Sequence, residues 1–160
     1  AYPLIIGGEQ ERGLRGGTES THNIHGLKIA LDEAYKNLLD DQKKVKSLKE
    51  LFLKRVHKSV ENVEVNGNFN ESSYTILNLR FPISKEKKDL INFKLELAGI
   101  ACSSGSACQS GSSEPSHVLS EILTDEEMEK ISIRFSFSKF NSKNEIIYAA
   151  ESLKNILSEC

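Results

Sequence analysis

Between residues 22 and 56 the apolar positions recur at helical spacing. Leu27, Leu31, Ala34, Leu38, Val45, Leu48, Phe52 and Val56 follow one another at intervals of three, four or seven. The pattern predicts a helix of about 50 Å, longer than one small core needs and long enough to bridge two domains. Ser20 or Thr21 is placed to cap its start, and Asp40-Asp41-Gln42-Lys43-Lys44 marks a candidate kink or break. Upstream, Tyr2-Pro3-Leu4-Ile5-Ile6 reads as a short apolar strand. Downstream the period changes to two. Val63-Glu64-Val65 ahead of Asn66-Gly67-Asn68 predicts a strand and turn, and residues 74–81 predict a stronger strand stopped at Pro82.

Ser84 caps a helix predicted to run to Leu97, with Leu90, Phe93 and Leu97 on one face and Gly99 ending it. Residues 100–102 predict a brief strand. Glu114-Pro115-Ser116 predicts a helix start ahead of Val118, Leu119 and Ile122, and Thr124-Asp125-Glu126-Glu127 spells a capping box. Residues 131–137 alternate as a strand that carries Arg134. Ser142 caps a last helix with Ile146, Ala149, Ala150, Leu153 and Leu157 as its buried stripe. From residue 57 onward the expected fold is therefore α/β, in effect an α+β small domain. Its sheet has three or four strands packed by helices, preceded by the long helix.

Composition narrows the class. The chain has 160 residues, 38% hydrophobic and 28% charged, enough for one core. A formal net charge of −2 gives no nucleic-acid footprint, so no direct DNA binding is expected. No apolar run is long enough for a membrane span. Three cysteines form no disulfide framework, which favours a reducing, cytoplasmic compartment. There is no CxxC pair and no His at ligand spacing, so no metal site is expected.

Chemistry concentrates in three places. The run 101–117 is rich in Ser and Gly, which keep a backbone flexible, and holds Cys102 and Cys108. Cys108 sits among small polar neighbours and reads as a functional thiol, whereas Cys102 at a strand end reads as core. A Cys102–Cys108 redox pair is the rival. In Gly7-Gly8-Glu9-Gln10-Glu11-Arg12-Gly13-Leu14-Arg15-Gly16-Gly17-Thr18-Glu19, glycines, two Arg and a Thr form either an anion-approach loop or a tight turn into the helix. Arg134 is either a solvent-face residue or a bidentate clamp for a carboxylate. The histidines at 22, 25, 57 and 117 show no partner in sequence and read as structural.

These segments occur in order with Ser103-Ser104-Gly105-Ser106-Ala107-Cys108, Glu114-Pro115-Ser116-His117-Val118-Leu119 and Ile133-Arg134-Phe135-Ser136-Phe137. Together they resemble the C-terminal part of a group I cysteine desulfurase, the NifS/IscS type, over essentially the whole chain. The resemblance implies a C-terminal domain of a fold-type I pyridoxal-phosphate enzyme that is a homodimer at full length. Residues 1–21 would be a remnant of the large cofactor-binding domain, 22–56 the interdomain helix, and 57–160 the small domain with its Cys loop at 103–113. The enzyme would convert L-cysteine to L-alanine and pass sulfur to an iron–sulfur scaffold or another acceptor, such as a tRNA-thiolation partner.

By motif position the resemblance makes Cys108 the nucleophile that becomes a persulfide. It gives Thr18 the cofactor phosphate across the dimer interface, and Arg134 the substrate carboxylate. The family's Schiff-base Lys, stacking His and pairing Asp belong upstream. The isolated chain is thus expected to be an inactive fragment without bound pyridoxal 5'-phosphate, and its Cys loop to be weakly ordered. Ser20 stands where Asn is usual and Gln109 where Thr is common. The alternative to a desulfurase is a non-catalytic sulfur-acceptor or partner-docking domain.

Overall fold

In the computed structural model, residues 2–104 and 116–159 are described. The chain divides into two compact units, Ala1–Leu39 and Asp40–Cys160. Helix α1, Thr21–Ser59, runs for 39 residues without interruption. The polar patch at 40–44 does not break it, because Asp, Gln and Lys cost a helix little in solvent. Two of these side chains also have partners. Lys139 Nζ donates to Asp41 Oδ2 at 2.8 Å and Lys44 Nζ to the Lys139 carbonyl at 2.5 Å.

In the first unit the residues before α1 form no regular strand. Tyr2, Leu4, Ile5 and Ile6 are exposed. An apolar run without a pairing partner has no ladder to join. The Ile5 carbonyl accepts the Gly16 N–H at 2.8 Å, which closes the Gly-rich segment on itself. The early stripe of α1, Leu27, Leu31 and Leu38, is likewise exposed, whereas the later stripe is buried in the second unit.

The second unit is built on a three-stranded antiparallel sheet in the order β1-β2-β3. Its strands are β1 (Glu64–Val65), β2 (Ile76–Ser84) and β3 (Lys130–Ser136). The helices are α2 (Lys88–Leu97), α3 (Asp125–Met128) and α4 (Lys143–Ser158). Leu77, Leu79 and Phe81 of β2 and Ile131, Ile133 and Phe135 of β3 share one buried face. It joins Leu48, Phe52 and Val56 of α1, Ile91 and Leu95 of α2, and Ala150 and Leu153 of α4 in one core. Phe52 stacks at a tilt on Phe135, with ring centroids 4.7 Å apart.

Several boundaries differ from expectation. Strand β2 does not stop at Pro82. The register shifts between Phe81 and Ser84, and the proline occupies that irregularity, where no ladder N–H is required of it. Residues 100–102 form no strand, and only Ser103 bridges to Arg134. The turn after Ser116 is a 3-10 turn at Leu119–Glu121 rather than an α-helix. The capping boxes of Thr124 with Glu127 and Ser142 with Glu145 both form. The Glu114-Pro115 helix start and the Cys loop beyond Ser104 lie outside the described residues.

Helix α2 buries Ile91 and Leu95, while Leu90, Phe93 and Leu97 face outward at 50%, 58% and 72% exposure. The sequence carries two apolar stripes on one helix, and packing against α4 and the sheet selects the narrower one. Leu95→Ala is therefore expected to cost about 2–5 kcal/mol, and Leu97→Ala to stay within about 0.5 kcal/mol, in urea unfolding of the domain. Equal losses would show that the outer stripe is also core.

Candidate functional site

In the first unit, backbone geometry shapes the Gly-rich segment. Glu11, Arg12 and Gly13 all have positive φ, at 49°, 59° and 78°. This left-handed run costs its two non-glycine residues about 1–2 kcal/mol each, a form of strain that clusters at functional loops. A side chain at Gly16 would come within 2.6 Å of the Gly7 backbone, so two backbone stretches touch there.

Several donors of this loop are spent inward. The Gly17 N–H donates to Gln10 Oε1 at 3.1 Å. Arg15 Nη1 donates to the carbonyls of Gly17 and Thr18, each at 3.2 Å. Arg15 is thus a clip for the loop rather than an outward anion ligand. Thr18 itself is exposed at the end of the clipped turn.

In the second unit the sheet's other face is polar. Strand alternation puts Glu64, Asn78, Arg80, Ser132 and Arg134 there, with Glu64 opposite Arg80, Arg80 opposite Ser132 and Asn78 opposite Arg134. Arg80 is only 5% exposed. Its Nη2 donates to Glu64 and, at 2.5 Å, to Glu127 Oε1, while Nη1 donates to Asn66 Oδ1 at 2.7 Å. Asn66 Nδ2 continues to Asn78 Oδ1 and Ser132 Oγ, both at 2.9 Å. The Glu127 carboxyl is held below the usual carboxylate range. The Thr124 backbone N–H is the main cause, and Arg80 adds to it.

Arg134 differs from Arg80 although both lie on this face. It is half-buried, and among the described residues no carboxylate pairs with it. Its own peptide is fixed: the Ser103 N–H donates to the Arg134 carbonyl at 3.1 Å, and the Arg134 N–H to the Ser103 carbonyl at 2.6 Å. Ser103 stands five residues before Cys108 in sequence.

The chain reaches Ser103 through a defined turn. Gly99, at φ 73°, ends α2. Its N–H reaches the Glu96 carbonyl at 2.8 Å and the Ile100 N–H reaches the Leu95 carbonyl at 2.9 Å, which together make a Schellman cap. Tyr148 of α4 donates its hydroxyl to the Ala98 carbonyl at 3.0 Å. Asn92 of α2 donates Nδ2 to Ser104 Oγ. Ser104, Ser116 and Ser132 line a common cleft of about 460 Å³.

Thr18 thus belongs to the first unit and Arg134 to the second, each on a clipped backbone. Cys108 lies outside the described residues. Cys102 is half-buried against the core, and burial pushes its thiol pKa up, which disfavours the nucleophilic thiolate. The Arg80 network and Asn92 were not singled out from sequence. The alternation of β2 held the signal for Arg80, and for Asn92 it was a polar residue between Ile91 and Leu95.

Comparison with known proteins fits this arrangement. Residues 6–148 match the aminotransferase class-V family model. The chain belongs to the aminotransferase class-V family. It is 41% identical over 152 residues to "Probable cysteine desulfurase, mitochondrial" of Dictyostelium discoideum, covering 95% of this chain and 33% of that protein. It is 42% identical over 147 residues to "Cysteine desulfurase IscS" of Rickettsia rickettsii (strain Iowa), covering 92% of this chain and 35% of that one. The crystal structure of a NifS-like protein from Rickettsia africae ESF-5 superimposes with a TM-score of 0.79. That match has 29% identity and covers 98% of this chain and 40% of that chain. The chain therefore spans about a third of the length of the curated relatives it matches.

The two arginines of this class-V chain make opposite stability predictions. Arg80→Ala leaves Glu64 and Glu127 facing each other and is expected to cost about 3 kcal/mol. Arg134→Ala removes no ion pair among the described residues and is expected to leave the thermal midpoint within about 2 °C. Thermal melts of both variants decide it.

The depressed Glu127 carboxyl adds a pH prediction. It stabilises the fold above the ordinary Glu pKa, near 4.3, and that stability is lost as pH falls through the lowered folded value. Glu127→Gln is therefore expected to be less stable than the parent at pH 7, with the gap closing as pH falls below about 4. A gap that stays constant between pH 7 and pH 3 would contradict this.

Proposed function

We propose that this chain is the C-terminal portion of a pyridoxal-phosphate-dependent cysteine desulfurase. In this reading Cys108 is the sulfur-accepting nucleophile, Arg134 the ligand of the substrate carboxylate and Thr18 a ligand of the cofactor phosphate. The observation that carries the reading is the backbone pairing of Ser103 with Arg134. It joins the root of the segment that bears Cys108 to the strand that bears a guanidinium without a carboxylate partner among the described residues. Five residues span at most about 18 Å, so a thiol at 108 stays within reach of a substrate whose carboxylate Arg134 holds. The named activity of the matched relatives supports a desulfurase over a non-catalytic acceptor domain.

The residues present fit part of the cofactor's needs. Thr18 offers an exposed hydroxyl at the end of a loop that Arg15 and Gln10 hold in shape, a suitable donor for one phosphate oxygen. The segment 7–19 contains no lysine, so it offers hydrogen-bond donors for the phosphate and no covalent anchor. When bound, pyridoxal phosphate supplies the electron sink. The chain's own groups do the rest. Arg134 accepts the carboxylate of L-cysteine in a two-point hydrogen bond and fixes the direction of its side chain. The Cys108 thiolate attacks the substrate sulfur. A sulfur–sulfur bond forms, the carbon–sulfur bond breaks with its electron pair left on carbon, and that carbon takes a proton to give L-alanine. The persulfide on Cys108 then carries the sulfur to an iron–sulfur scaffold or another acceptor.

The test uses the full-length protein as its homodimer. Cys108→Ala is expected to abolish L-cysteine-dependent sulfide release, while Cys102→Ala retains it. Arg134→Ala is expected to raise KM for L-cysteine roughly 10- to 100-fold, the loss of a charged hydrogen bond worth about 1.5–3 kcal/mol. Sulfide release that persists in Cys108→Ala would remove the central assignment.

A further inference from the structure

Helix α2 places a polar residue where its packing does not ask for one. Asn92 follows the buried Ile91 and precedes the buried Leu95 by three positions. Its Nδ2 donates to Ser104 Oγ. Its Oδ1 is buried and has no hydrogen-bond partner among the described residues, and no other buried side-chain oxygen or nitrogen there shares that state. An unpaired buried acceptor is unfavourable for folding. A leucine at 92 would continue the apolar pattern without that cost.

The one bond Asn92 makes falls at a particular point of the chain. Ser103 is paired to Arg134 of β3 through both its backbone groups, and Ser104, the next residue, is tied to α2 through its side chain. Two successive residues are thus anchored to two different elements. Tyr148 and the Schellman cap at Gly99 fix the approach from the other side. The Ser104 side chain adds an anchor on a separate helix.

We infer that Asn92 is a positioning residue for sulfur transfer: by holding Ser104 it anchors to α2 the described root of the segment that bears Cys108, next to the Ser103–Arg134 bridge. The inference rests on the reading of Cys108 as nucleophile. Asn92 touches neither substrate nor cofactor in this account and acts only through Ser104. Its unpaired oxygen is the sign that the residue is kept for this bond and not for fold stability.

The experiment compares Asn92→Leu, Ser104→Ala, the double variant and Cys108→Ala in the full-length holoenzyme. Thermal melts, steady-state kinetics with L-cysteine and single-turnover persulfide formation are measured for each. Asn92→Leu is expected to melt at or above the parent temperature, to keep KM within about twofold, and to lower kcat and the persulfide rate about five- to tenfold. Ser104→Ala should match it, and the double variant should be no slower than either single one, as expected of two ends of one bond. A parent-like rate in Asn92→Leu, or fully multiplicative losses in the double variant, overturns the inference. If that happens while Cys108→Ala is silent, the nucleophile reading survives without it. If Cys108→Ala still releases sulfide, both fall.

Discussion

The register of β3 against β2 is the constraint on which the second unit depends. Side chains alternate between faces with a period of two, so a slip of one residue would carry Arg134 into the core and turn Ile133 and Phe135 out to solvent. Six paired positions share that register, from Ile76 opposite Ser136 to Phe81 opposite Ile131. The buried face enforces it, because Leu79, Phe81 and Ile133 are fully enclosed and each loses about 1.5–3 kcal/mol if exposed. The position of the Arg134 guanidinium is thus a by-product of hydrophobic packing on the opposite side of the same strand. So is the position of the Arg134 peptide, which offers the edge to which Ser103 bonds.

On the polar face, two identical side chain types end in different electrical states. Arg80 is surrounded by Glu64, Glu127 and Asn66, and its charge is compensated where it stands. Arg134 is two pairs further along the ladder, on the same face and opposite the neutral Asn78. The Arg80 network binds β1, β2 and the turn that starts α3 into one surface. It engages both carboxylates through Arg80. A strand-borne arginine with no carboxylate partner among the described residues is suited to receive one from a ligand.

Features that depend on local chemistry were legible in the sequence. The capping boxes at Thr124 and Ser142, the glycine stop at 99 and the alternation of β3 each rest on a few neighbouring residues, and each is present. Features decided by distant partners were not. Leu90, Phe93 and Leu97 form as good a stripe as Ile91 and Leu95, and only the position of α4 and the sheet selects between them. Pro82 looked terminal because the shift in pairing beyond Phe81 is not written in the strand itself. Residues 2–6 look like a strand in isolation, but a strand needs a neighbour. At the site, Arg134 was legible as a strand-borne arginine, and β3 carries it on the polar face. The Ser103–Arg134 bridge was not, because it joins positions thirty-one residues apart.

Of the two cysteines weighed as thiols, Cys102 lies among the described residues, and its setting bears on one of the two readings. Cys102 sits three residues beyond the Gly99 cap, where the chain still packs on the core, and burial there favours the protonated thiol. Past Ser104 the sequence turns to Gly, Ser and Ala, and Ser103 and Ser104 are the described root of that run. The root here combines a strand bridge, a helix cap, a tyrosine hydroxyl and an asparagine amide, drawn from β3, α2 and α4. The described chain is therefore held, up to Ser104, by groups from three separate elements.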